Sequence, residues 1–142
     1  MTRLLRLWPW LFAVAGGWLW ATQFEARPDR WAPWVALTPL ILLSTCRHPL
    51  RTGWLWGVSF WLFSIPWLVP TLVDYGRIPF LLGCLLLLLL AAYLGLFAGL
   101  FTGWGARLWA GPWPLVLVAL PAVWVLLEWV RGWLFGGFPW NR

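Results

Sequence analysis

The sequence predicts an all-α protein, a polytopic membrane helix bundle of about five transmembrane helices. Three observations carry this. Hydrophobic residues make up 63% of the 142-residue chain and charged residues only 10%, a balance suited to lipid rather than water. The apolar runs are about 20 residues long, which is what a helix rising about 1.5 Å per residue needs to cross a hydrocarbon core. None of these runs carries the polar face at helical period that a water-soluble helix shows.

The first span is expected at residues 7–24, with Pro9 in the opening turn, where its missing N–H does no harm. Its basic start resembles a signal peptide, but it lacks a small-residue cleavage site, so it is expected to stay as an uncleaved helix. Polar "EARPDR" closes it. The second span, 31–46, contains Pro39, where a kink is expected, and "RHPLR" follows as a tight basic turn. The third, 53–73, carries Pro66 and Pro70 in its second half. These prolines release carbonyls that lipid cannot satisfy, so that half is expected to face protein or a wet cavity. The fourth, 79–102, includes six consecutive leucines at 85–90. The fifth, 115–135, holds Pro121 and is expected to stop at Gly136-Gly137, with Pro139 just beyond. The whole chain, 1–142, is expected to be one transmembrane bundle with no soluble catalytic domain.

Ala91, Gly95, Gly99 and Gly103 recur every four residues and share one face of the fourth span, where a neighbouring backbone can approach closely. Glycine is also simply common in membrane helices. Many of the tryptophans, such as Trp8, Trp10, Trp18 and Trp20, fall near the ends of runs as interfacial belts.

The net charge is +6, and the basic residues are all arginine. They sit singly or in pairs at the ends of apolar runs rather than in a patch, which excludes a nucleic-acid partner. Arg3, Arg6, Arg47, Arg51 and Arg107 fall on one side of the membrane, and Arg27, Arg30 and Arg77 on the other. That asymmetry favours a cytoplasmic N-terminus, and an odd number of spans then leaves the C-terminus outside the cytoplasm. Cys46 and Cys84 read as small buried hydrophobes. His48 is a lone loop histidine with no second ligand, so no metal site and no cofactor is expected.

Glu128 and Arg131, three apart on one face of the fifth span, are the notable charges. An intramembrane charge costs at least about 2.5 kcal/mol, so such residues usually turn inward and find a partner. One reading is a structural ion pair that pins the end of the helix and fixes "GGFPW" as a non-helical element at the outer surface. In the other, Arg131 snorkels to the interface and Glu128 only neutralises it.

"PAVWVLLEWVRGWLFGGFPWN" at 121–141 resembles the membrane segment that precedes the periplasmic domain of bacterial apolipoprotein N-acyltransferases. "WVALTPLILL" at 34–43 and "LLAAYLGLFAGLF" at 89–101 are similar to that family in the same order. Two departures stand out: Tyr75-Gly76-Arg77 replaces a usual Phe-Gly-Gly turn, and Gly136 stands where Thr is common. The resemblance implies a bacterial inner-membrane, multi-pass protein with a periplasmic C-terminus. It further implies an eight-helix bundle carrying a nitrilase-like domain with a Glu, a Lys and a Cys. The cysteine takes an acyl chain from a membrane phospholipid as a thioester and passes it to the α-amino group of the diacylglyceryl-cysteine of an apolipoprotein.

This chain has no lysine, so it contains no catalytic residues of that kind. It is expected to be the N-terminal membrane part, inactive alone, with the remaining spans and the nitrilase-like domain missing. On the residues matched, Gly137, Phe138, Pro139 and Trp140 are the expected border of the lipid-substrate entrance; alternatively they are a helix stop with an aromatic anchor. Competing classes are a small transporter or channel subunit, and a non-catalytic membrane scaffold.

Overall fold

The computed structural model describes residues 4–24 and 37–136. Among these it is all-α, with no strand. Helix α1 spans Leu4–Ala21 and continues into a 3-10 turn, Thr22–Phe24. It begins before the predicted span, so Pro9 lies inside the helix rather than in its first turn. Helix α2, Thr38–Leu43, is a short segment with Pro39 at its start, where proline initiates rather than kinks. Residues 31–36 of the predicted second span lie outside the described residues.

The predicted third span is two helices, α3 (Pro49–Ser64) and α4 (Leu68–Asp74), bent by 53° at the break between them. The cause is local. Pro66 has no N–H and its ring crowds the carbonyl four residues back. The last regular bond is Ile65 N to Trp61 O at 3.1 Å, after which Leu68 N reaches only three residues back, to Ile65 O at 3.1 Å.

Helix α5, Phe80–Leu108, is longer than predicted: 29 residues. At about 1.5 Å each that is about 43 Å, enough to cross the hydrocarbon and reach into the headgroups. Helix α6 spans Trp113–Arg131. It stops earlier than the predicted Gly136-Gly137. Gly132 is its cap, with an N–H on Glu128 O at 3.0 Å, and a 3-10 turn, Leu134–Gly136, follows. Gly136 has φ +86°, a left-handed conformation that glycine adopts without strain. Helices α5 and α6 are each long and apolar enough to cross a membrane, and the bent α3–α4 pair qualifies as a third crossing by length and composition.

The core lies along α3 and α5. A Cβ placed on Gly57 would sit 2.7 Å from Gly95 Cα, and one on Gly99 would sit 2.8 Å from Leu50 O. Two side-chain bonds tie the same pair of helices: Trp54 Nε1 donates to Ala92 O at 2.9 Å and Thr102 Oγ1 to Pro49 O at 2.8 Å. Helix α1 packs on the opposite side of α3. There Gly16 and Gly17 meet α3, a Cβ on Gly17 coming 2.8 Å from Phe60 N, and Ser59 Oγ donates to Val14 O at 2.8 Å. Small residues on both flanks of α3 therefore let three helices approach to backbone contact, the main source of packing energy where lipid supplies no hydrophobic drive.

Candidate functional site

Helices α1, α3, α5 and α6 enclose a cavity of about 230 Å³. The sequence builds it from one stripe per helix. On α6 the lining residues Trp124, Leu127, Glu128 and Arg131 follow the i, i+3, i+4, i+7 spacing of a single helical face. Leu94, Phe97 and Ala98 of α5 do the same at i, i+3, i+4. The wall on α3 is Trp56, Phe60 and Trp61, joined by Trp20 and Phe24 from the end of α1. These rings pack on one another: Trp56 and Phe60 are stacked with centroids 5.8 Å apart, and Phe24 lies 5.6 Å from Phe60.

The ion pair closes one side. Arg131 Nη2 stands 2.5 Å from Glu128 Oε2, with Arg131 only 5% exposed and Glu128 30%. The Arg131 guanidinium also lies over the Trp61 ring, 5.0 Å from its centroid, a cation–π contact. Arg131 thus points into the bundle and against α3. The alternative of an arginine snorkelling outward does not describe this geometry. Because α6 ends at Arg131, the pair occupies the last turn of the helix, where a cation also meets the negative end of the helix dipole.

The cavity has one charged corner in an aromatic shell. Its volume is below the roughly 300–1,000 Å³ of a typical ligand pocket. It is too small for a two-chain lipid. A second hollow of about 420 Å³ lies between α2, α5 and α6, lined by apolar side chains including Ile41, Phe101, Trp113 and Pro121.

Other predicted site residues fall elsewhere. Ala91, Gly95 and Gly99 are buried on the face of α5 that meets α3. Gly103 is looser, since a Cβ there would meet Leu50 only at 3.6 Å. Gly137, Phe138, Pro139 and Trp140 lie outside the described residues. Cys46 and Cys84 are free and half-buried, far from each other in sequence. No group of three or more metal-ligating side chains occurs among the described residues. The sequence assigns tryptophans to interfacial belts and carries no sign that Trp20, Trp56, Phe60 and Phe97 line a common cavity. The spacing of Trp124 and Leu127 relative to Glu128 and Arg131 was the available signal.

An all-helical membrane bundle with an aromatic cavity and an internal ion pair defines a membrane-embedded protein that meets lipid. The particular family follows from comparison: residues 16–142 match the apolipoprotein N-acyltransferase N-terminal domain. Among curated relatives, the apolipoprotein N-acyltransferase of Chromobacterium violaceum is 37% identical over 134 residues, covering 91% of this chain and 25% of the relative. That of Nitrosomonas europaea is 41% identical over 118 residues, covering 76% of this chain and 22% of the relative. That of Vibrio parahaemolyticus is 31% identical over 127 residues, 84% of this chain and 25% of the relative. The chain belongs to the apolipoprotein N-acyltransferase family. It spans about a quarter of the length of these relatives.

Proposed function

We propose that this chain is the membrane portion of a phospholipid-dependent apolipoprotein N-acyltransferase, the enzyme class that N-acylates the diacylglyceryl-cysteine of lipoproteins at the end of their maturation. Its setting is the bacterial inner membrane, with the N-terminus in the cytoplasm and the C-terminus in the periplasm. The observation that carries the reading is the conjunction of the match over residues 16–142 with an aromatic, ion-paired cavity at the end of α6.

In this reading Glu128 and Arg131 are structural. They fix the last turn of α6, upstream of Gly137, Phe138, Pro139 and Trp140 in the sequence. Those four residues border the entrance through which the acyl donor reaches the reacting groups. The exposed apolar face of α6, which includes Val118, Val125 and Trp129, suits lipid tails or further helices of a complete enzyme. The Glu, Lys and Cys of covalent acyl transfer come from outside these 142 residues, because the chain has no lysine. By itself the chain is inactive.

A chimera tests this. These residues replace the corresponding segment of the Chromobacterium violaceum relative, and N-acylation of a diacylglyceryl lipopeptide is followed by mass spectrometry. The chimera is expected to acylate, and the 142-residue chain alone is not. A chimera that inserts and folds but transfers no acyl group argues against the function, and transfer by the chain alone argues against its dependence on outside residues.

A further inference from the structure

One end of the bundle is basic and hollow, and the function above does not use it. Four elements meet there: the start of α1, the turn between α2 and α3, the first turn of α3, and the end of α5. Thr102 Oγ1 bonded to Pro49 O (2.8 Å) and Trp109 Nε1 bonded to Ser44 Oγ (2.7 Å) hold the last three together. Between the start of α1 and the α2–α3 turn lies a hollow of about 540 Å³, with Trp8 and Trp10 on one wall and Arg47 and His48 on the other. A second hollow of about 310 Å³ shares Arg47 and His48 and adds Arg51. All three of these cationic or titratable side chains are exposed, and Arg107 stands exposed at the same end.

The net charge is one-sided, because at the other end Arg77 and Arg131 are accompanied by acids. The described acids, Asp74 and Glu128, lie at the ends of α4 and α6, at the opposite end of the bundle. Backbone adds to the field: the first helical bond of α3 is Thr52 N to His48 O at 3.0 Å, so the N–H groups of Leu50 and Arg51 precede it at the positive end of the helix dipole. Guanidinium forks suit phosphate oxygens, and indole walls suit the glycerol and upper acyl region of a lipid at the membrane–water boundary. Free phosphate would use the arginines and leave the indoles without a role.

We propose that the two hollows around Arg47 and His48 form a binding site for the headgroup of an anionic phospholipid. Arg47 and Arg51 hold the phosphate, and Trp8 and Trp10 flank the glycerol. Such a bound lipid anchors the turn between α2 and α3 against the start of α1.

The test uses the full chain in nanodiscs of equimolar phosphatidylglycerol and phosphatidylcholine, transferred to mild detergent, with retained lipids counted by native mass spectrometry. Phosphatidylglycerol is expected to be retained in preference. Each juxtamembrane arginine is worth about fivefold in anionic-lipid affinity, so R47Q/R51Q should lower that preference by about 25-fold. Arg77→Gln, at the other end, should leave it unchanged. Equal retention of the two lipids by the wild type, or an unchanged preference in R47Q/R51Q, overturns the proposal. Displacement of the lipid by millimolar inorganic phosphate overturns the lipid as occupant. A salt titration of the wild type gives an answer even if the double variant fails to fold: screening at about 1 M salt should abolish the preference, and a salt-insensitive preference overturns the site.

Discussion

Alanine at Gly95 and alanine at Gly103 make the same chemical change two turns apart on α5, and the structure predicts opposite results. A Cβ on Gly95 would stand 2.9 Å from Val58 N and 3.0 Å from Trp54 O, both backbone atoms that cannot rotate away. Restoring an ordinary contact of about 3.5–4.0 Å requires α3 and α5 to part by roughly 0.5–1 Å along their closest line. Overpacking of that kind costs about 1–3 kcal/mol. At Gly103 the nearest atom is the Leu50 side chain at 3.6 Å, which is ordinary contact. Both substitutions gain the same helix propensity, about 1 kcal/mol over glycine, so it cancels in the comparison. Gly95→Ala should therefore be less stable than Gly103→Ala by about 1–3 kcal/mol. Unfolding in mild detergent, followed by the far-ultraviolet helical signal, measures the difference. Two variants that unfold together would refute the close approach of α3 and α5 as the organising contact.

Glu128→Gln removes the charge from the bond to Arg131 and should lower stability by about 1.5–3 kcal/mol, measured the same way; a variant as stable as the parent would mean that Arg131 is held chiefly by Trp61. Ser44→Ala takes away the acceptor of the Trp109 indole N–H and should cost about 1–3 kcal/mol, with a change in tryptophan fluorescence that a purely surface serine would not cause. Arg77 has φ +52°, a left-handed conformation that costs a side-chain-bearing residue about 1–2 kcal/mol, so Arg77→Gly should stabilise the chain by about that amount; a lower thermal midpoint would contradict this. Pro66→Ala restores a backbone N–H at the break, and the distance between spin labels at exposed Leu50 and Thr71 should lengthen as the 53° bend relaxes, whereas an unchanged distance would assign the bend to packing around it.

The candidate site was half legible in the sequence. Glu128 and Arg131 drew notice because a charge inside an apolar run has few explanations, and their spacing of three fixes a shared helix face. Their aromatic surroundings were not legible, because Trp20, Trp56, Phe97 and Trp124 belong to four different helices and nothing in the local order of each tells which partner it meets. The prolines were informative about where irregularity occurs and less so about its form. Pro66 ends α3, Pro39 begins α2, and Pro9 and Pro121 are carried inside their helices.

The helical, lipid-compatible character of this chain was determined by its sequence alone, because a backbone removed from water must bond to itself and a composition this apolar leaves few other options. Membership of the acyltransferase family was readable in the same way, from an ordered run of residues around Glu128 and Arg131. Tertiary structure alone decided which glycines admit a neighbouring backbone, where α6 stops, and that Arg131 turns inward onto Trp61. Those outcomes depend on distances between helices far apart in the chain, and periodicity within one helix carries no information about them.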